Sequence, residues 1–193
     1  MGTATLLLLD IQNGIVDQFE SKDSYLQRLS LVLSAARKNS INIVHIVTAF
    51  RNGYPENNPN NTSVPAAAAR GLYKEGDSSV QIHSAVEVTP EEPVITKRRV
   101  SAFFGTELDM ILRCSNTDHI IVAGLATSGA VLSTIRQAMD MDYRITVLRD
   151  CCMDPNEEVH RVLMDSIFGR KLNVISGEQW VSEIPAGPSS QNA

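Results

Sequence analysis

The chain has 193 residues, 43% of them hydrophobic and 20% charged, with a net charge of −5. That is the size of one domain with a full core, and the acidic balance argues against a nucleic-acid binder while leaving room for a local cationic pocket. No apolar run reaches membrane-spanning length, because Leu6-Leu7-Leu8-Leu9 stops at Asp10, so a membrane is not an expected partner either.

In chain order, residues 3–11 are almost continuously apolar, the pattern of a strand covered on both faces. Residues 25–38 repeat Leu26, Leu29, Leu33 and Ala36 at helical spacing. A β-branched strand follows at 41–50. Residues 51–77 are rich in Asn, Pro and Gly and read as a long loop with one short helix at 66–70; loops of that length in compact domains usually serve function or move. A short strand is predicted at 93–96, and a short helix at 107–114 with Thr106 as its N-cap. Residues 118–123 form a central strand, followed by a tight turn through Gly124 and a helix that runs to Ala138. The next strand lies at 143–148. A helix over 156–167 stands behind Asp154-Pro155, read as a cap and a proline at the first helical position. Residues 172–175 form a last edge strand, and 185–193 a flexible tail. The alternation predicts one α/β domain over 1–184, a three-layer α/β/α sandwich on a mostly parallel sheet, without repeats.

The N-terminal residues lack the basic stretch and small-residue cleavage site of a secretory signal, and Leu6 stands where a myristoylated Gly2 would require Ser or Thr. Three cysteines, two of them adjacent, do not make a disulfide framework. A cytoplasmic protein is the expectation, with secretion that uses no signal left open.

Chemistry-bearing residues gather at the predicted carboxyl ends of strands, where open parallel sheets bind ligands. Asp10 ends the first strand in Leu9-Asp10-Ile11-Gln12-Asn13. On position alone it reads as a turn or cap residue; in a poorly solvated pocket it reads as an acid. Lys97 ends the third strand in Thr96-Lys97-Arg98-Arg99-Val100-Ser101-Ala102-Phe103. Such a run is most often a solvated face, but here a lysine can pair with Asp10 and hold an anion. The turn from Gly124 to Ala130 lacks the spacing of a dinucleotide fingerprint, the lysine of a P-loop and the Gly-x-Ser-x-Gly of a nucleophile elbow. Ser128 and Ser133 have no histidine placed by motif to activate them. Cys151 and Cys152 end the fifth strand and read as buried structural thiols, with one lining the pocket as the other possibility. His45, His83, His119 and His160 are scattered and make no His-x-x-x-His pair.

Taken together and in this order, Asp10-x-Gln12-Asn13, Lys97-x-Arg99-x-Ser101-Ala102-Phe103 and the 124–130 turn resemble the isochorismatase-like superfamily, the cysteine hydrolases, over nearly the whole chain to Leu172. The resemblance implies a six-stranded sheet and a site built on Asp10, Lys97 and position 130. It also implies backbone N–H groups near Ala126 and Ala130 for an oxyanion or carboxylate, and a cis peptide at Leu125–Ala126. Most members carry the cysteine nucleophile where this chain has Ala130. The metal-binding Asp-x-His motif of the nicotinamidase branch is also missing: Thr48-Ala49-Phe50-Arg51-Asn52-Gly53-Tyr54-Pro55 stands there instead, so neither a metal nor a cofactor is expected. Gln12, Arg51, Tyr54, Arg99, Leu125, Ala126 and Thr127 are the candidate substrate-binding residues.

Three functions fit the resemblance. The first is hydrolysis of the enol ether of isochorismate to pyruvate and 2,3-dihydroxy-2,3-dihydrobenzoate, with Asp10 as the acid and Lys97 as its anion-binding partner; protonating a methylene carbon needs no thiol. The ammonium of Lys97 opposes this role by favouring the charged form of Asp10, whereas burial and a substrate carboxylate favour the neutral form. The second is an amidase whose cysteine has been replaced. The third is a non-catalytic protein that binds a small acid. The expected partner in each is a small anionic metabolite. Homodimers or larger homo-oligomers, common in such proteins, are expected through the helices after Gly124 and Pro155.

Overall fold

A computed structural model describes residues 2–184. The sheet has six strands in the order β3-β2-β1-β4-β5-β6, and every neighbouring pair is parallel. The strands are β1 (Thr3–Leu9), β2 (Asn42–Thr48), β3 (Val94–Lys97), β4 (Thr117–Leu125), β5 (Arg144–Met153) and β6 (Asn173–Ile175). The chain builds outward from β1 to β3, then returns to lay β4 on the other side of β1. The order therefore reverses between β1 and β4, the place where such sheets open a crevice beyond their carboxyl ends.

The helices are α1 (Asn13–Val16), α2 (Lys22–Lys38), α3 (Ser63–Ala69), α4 (Leu108–Cys114), α5 (Leu132–Asp140), α6 (Glu157–Val162) and α7 (Gly177–Glu183). One face of the sheet packs on α4, α5 and the wide turn at Leu163–Phe168 that continues α6, through Leu108, Leu112, Ile135 and Phe168. The other face packs on α2 and α7 through Tyr25, Leu29, Leu33 and Trp180. The four leucines of β1 divide between the two: Leu7 and Leu9 join the first cluster, Leu6 and Leu8 the second. All four are buried, each contributing about 1.5–3 kcal/mol by removal from water.

Several boundaries move relative to the sequence reading. The sheet is wholly rather than mostly parallel. Helix α2 starts three residues before the apolar repeat does, because its first turn is polar. Strand β4 runs past Ala123 to Leu125, and β5 past Leu148 to Met153, with a register irregularity between Val122 and Gly124. Asn156, not Asp154, caps α6: its side chain accepts from Val159 N, and Pro155 lies outside the helix. Helix α4 starts at Leu108, although Thr106 Oγ1 does accept from Leu108 N at 3.3 Å. The short helix in the long loop lies at Ser63–Ala69 rather than 66–70. Helices α1 and α7 were not anticipated. The tail expected over 185–193 lies outside the described residues. Among the described residues, no helix is long and apolar enough to cross a membrane.

Candidate active site

Asp10 follows the last paired residue of β1 and takes a φ of 57°. Aspartate tolerates this left-handed conformation better than most residues. It turns the chain out of the strand, and the carboxylate stays behind, 4% exposed, at the sheet's carboxyl edge. Beside it, Gly124 of β4 is paired in register with Leu9. Its φ is +147°, and a Cβ there would overlap the Leu9 carbonyl oxygen, so the approach of β1 to β4 requires glycine.

Lys97 ends β3, and its register partner in β2 is Thr48. Lys97 Nζ lies 2.9 Å from Asp10 Oδ2 and donates to Thr48 Oγ1 at 2.7 Å. Thr48 Oγ1 in turn donates to Asp10 Oδ1 at 3.0 Å. Both oxygens of Asp10 therefore accept, which describes a carboxylate closed into a triangle with an ammonium and a hydroxyl. With Lys97 only 3% exposed, this is a buried ion pair whose remaining hydrogen-bonding needs are met inside the protein.

Ala130 follows β4 in a wide helical turn at Thr127–Val131 that leads into α5. The peptide between Leu125 and Ala126 is cis, as the resemblance implied. Ala130 lines a cavity of about 200 Å³ together with Asp10, Thr48 and Lys97. The three motif positions thus converge on one crevice. Its other walls are mainly apolar or cationic: Phe50, Val64, Ala67 and Val100, with Arg98 and Arg99.

The two arginines differ. Arg98 pairs with Glu56 at 3.0 Å and also with Glu75. Arg99 donates only to carbonyl oxygens, those of Arg98 at 2.7 Å and Glu56 at 3.1 Å. Among the described residues it has no carboxylate partner, so its charge stays available to an anion in the cavity.

The remaining predicted site residues fall elsewhere. Gln12 is fully buried and spends its amide on Thr48 and Ser79. Arg51 is drawn to Glu56 at 2.6 Å. Tyr54 packs on Phe50 and donates to Leu72 O at 2.8 Å, a small core within the loop. Neither lines the cavity. Leu125 packs in the α2/α7 cluster. Thr127 is fully buried, with Oγ1 2.8 Å from His160 Nδ1; burial, then the nearby Arg149, lowers the pKa of that histidine. In the turn, Gly129 N and Val131 N donate to Ala126 O at 3.0 and 3.3 Å, and Ser128 N to Asp154 at 2.7 Å. Those three donors are already used.

No cysteine lines the cavity. Cys151 and Cys152 pack in opposite clusters, and burial pushes the thiol of Cys152 up to about 12 and that of Cys151 higher. Cys114 is exposed at the end of α4. Among the described residues, no three His, Cys, Asp or Glu side chains are grouped to hold a metal ion.

Thr48 escapes the sequence reading, because the strand is expected to run to residue 50 and the pairing of Thr48 with Lys97 shows only in the register. Asn61 and Tyr73 escape the sequence reading because loop residues carry no periodicity, and Val64 and Ala67 because nothing in the sequence shows which face of the short helix α3 meets the site.

Comparison with known proteins agrees with this architecture. A family model described as the isochorismatase domain matches residues 4–179. An uncharacterised isochorismatase family protein of Bacillus subtilis (strain 168) is 28% identical over 179 residues, spanning 93% of each chain. The ureidoacrylate amidohydrolase of Pantoea ananatis (strain LMG 20103) is 25% identical over 204 residues, spanning 93% of this chain and 78% of that protein. The solved structure of an isochorismatase family protein from Burkholderia thailandensis superposes with a TM-score of 0.82 at 24% identity, over 93% of this chain and 94% of that one. With the crevice, its buried charge pair and a family match over nearly all the described residues, this chain belongs to the isochorismatase family of hydrolases.

Proposed function

We propose that this protein hydrolyses the enol ether of a small anion, isochorismate, without covalent catalysis. The observation that carries this reading is Ala130 in the wall of a cavity that retains the buried Asp10–Lys97 pair. A thiol mechanism has no nucleophile there, whereas acid–base chemistry keeps its groups.

In the proposed reaction the substrate carboxylates meet Arg99 and Lys97. Their negative charge raises the proton affinity of Asp10, which takes up a proton and passes it to the methylene carbon. The oxocarbenium ion that results is captured by water, whose proton returns to Asp10. The hemiketal then collapses to pyruvate and 2,3-dihydroxy-2,3-dihydrobenzoate. The apolar walls suit a ring, and the cationic rim suits its carboxylates. We place this activity in the cytoplasm, in a homodimer or larger homo-oligomer, where the partly exposed Val159 and Val162 of α6 offer an apolar contact.

A second reading, cleavage of an amide, is favoured by the similarity to a protein named for ureidoacrylate hydrolysis. The two separate in one experiment: incubation with isochorismate, and separately with small amides and ureido acids, following pyruvate and ammonia. Pyruvate release that is lost in Asp10→Asn, with circular dichroism unchanged, is expected. Ammonia without pyruvate overturns the proposal in favour of the amide reading.

A further inference from the structure

Thr48 ends β2 between the two charges of the site. Its Oγ1 lies 2.7 Å from Lys97 Nζ and 3.0 Å from Asp10 Oδ1. An ammonium can only donate a hydrogen bond, so the hydroxyl must accept from Nζ, and its single proton is left for Asp10. The direction of this bond is therefore fixed for as long as Lys97 is charged.

The backbone of Thr48 is fixed as well. The paired register of β1 with β2 ends at Leu9–Ile46, because Asp10 leaves the strand. The side-chain amide of Gln12 then takes both backbone groups of Thr48: Oε1 accepts from its N–H at 2.7 Å, and Nε2 donates to its carbonyl at 3.0 Å. Nε2 also donates to Ser79 O at 3.2 Å. A fully buried glutamine with its amide spent in this way is a clamp, and it clamps the residue that bridges the charge pair.

We propose that Thr48 is a positioning residue of this site, whose hydroxyl holds Asp10 as a carboxylate and Lys97 as an ammonium until an anion enters the cavity. The role rests on the acid–base reading above. Without a donor on Oδ1, Asp10 keeps one of its two tethers and takes up a proton more readily. The other charged or titratable groups around the cavity are Arg98 and Arg99 after β3 and Tyr73 from the loop. Arg98 is neutralised by Glu56 and Glu75, and none of these groups is altered by a change at Thr48.

The test compares Thr48→Val, which keeps the shape and removes the hydroxyl, with Thr48→Ser, which keeps the hydroxyl. Two readouts are taken on each intact protein. One is the pH profile of pyruvate release from isochorismate. The other is the ¹³C NMR titration of the Asp10 carboxyl, which needs no substrate. Activity that requires protonated Asp10 falls as pH rises through its pKa. In Thr48→Val that falling limb, and the NMR midpoint of Asp10, should both move up by about one pH unit, because a hydrogen bond to the charged form is lost. On the low-pH plateau kcat should drop by up to about tenfold, because Asp10 is only partly charged in the transition state and one pH unit is the full effect on its charged form. KM should stay within about twofold, since the hydroxyl's donor is spent on Asp10 rather than on substrate. Thr48→Ser should restore both readouts. An unmoved Asp10 titration in Thr48→Val overturns the proposal, as does a raised KM with unchanged kcat, or a serine variant as damaged as the valine one. If the wild type releases no pyruvate, the enol-ether reading fails, and the Asp10 titration alone still decides the role of Thr48.

Discussion

Removing the ammonium of Lys97 tests whether the charge pair is as buried as its geometry says. Lys97→Met keeps most of the stem and its packing and deletes only the charge. Asp10, 4% exposed, would be left with the Thr48 hydroxyl as its one remaining side-chain donor, in place of that donor and a cation at 2.9 Å. Stranding one member of a buried pair costs about 3–5 kcal/mol, a large share of the roughly 5–15 kcal/mol that holds a domain folded. The double variant Asp10→Asn, Lys97→Met buries no charge and should recover to within about 1–2 kcal/mol of the wild type. Urea denaturation at pH 7 gives each value. The pH dependence supplies an independent check of sign. In Lys97→Met the buried carboxyl binds its proton more tightly in the fold than in the unfolded chain, so the folded state holds more protons and stability falls as pH rises. The deficit should therefore be largest at neutral pH and shrink on acidification. A single variant within about 1 kcal/mol of wild type, or a double variant no better than the single, would mean that the pair is solvated or that Asp10 is already neutral.

Other outcomes follow from the same geometry. Arg99→Gln should raise KM for isochorismate by about tenfold to a hundredfold with a smaller change in kcat, because its guanidinium meets substrate charge rather than an internal carboxylate; steady-state kinetics checks this, and an unchanged KM removes Arg99 from the site. Ala130→Cys should give little ammonia from amides and slow pyruvate release, because a sulfur added to the cavity wall crowds the substrate; strong amide turnover would favour the amide reading. His45 is buried, which lowers its pKa against the opposing pull of Glu92. Glu92 is itself raised by burial but brought below the usual carboxylate range by Arg37 and His45. Both groups bind protons more weakly in the fold than in the unfolded chain, so they cost stability as pH drops below about 6.5 for the histidine and below about 4.5 for the glutamate. His45→Leu should flatten the upper part of that loss in thermal melts between pH 7 and 5.

The fold was legible because its determinants are periodic and local. The leucines of β1 and the helical repeat of α2 announce a covered parallel strand and an amphipathic helix without reference to anything distant. The crevice was legible through short motifs at strand ends, since a charged residue directly after a buried strand has few places to go. What escaped was set by tertiary contacts. Thr48 looks like one more β-branched strand residue until its register with Lys97 is known. By motif Gln12 reads as a substrate contact, but the departure of Asp10 from β1 turns it into a clamp on β2. Arg51 and Tyr54 have the chemistry of site residues and lie in the right loop, yet Glu56 and Leu72 hold them within it. The cavity takes Val64 and Ala67 of α3 and Tyr73 instead.

The strand order explains how position 130 can be alanine without disturbing the rest of the site. Lys97, Thr48 and Asp10 stand at the ends of β3, β2 and β1, three adjacent strands on one side of the reversal point, and they are bonded to one another. Ala130 comes from the other side, after β4, on a turn whose supports are its own: Ala126 O, Asp154 and the contact of Thr127 with His160. The acid–base half of the site is built by β1–β3 and the Gln12 clamp, and the nucleophile position by β4 and the turn into α5. The two halves meet across the cavity and along the β1–β4 pairing, but neither the Asp10–Lys97–Thr48 bonds nor those of the turn involve the side chain at position 130. Alanine at position 130 is therefore compatible with an intact Asp10–Lys97 pair. This is the physical basis for expecting a reaction that needs a proton rather than a sulfur.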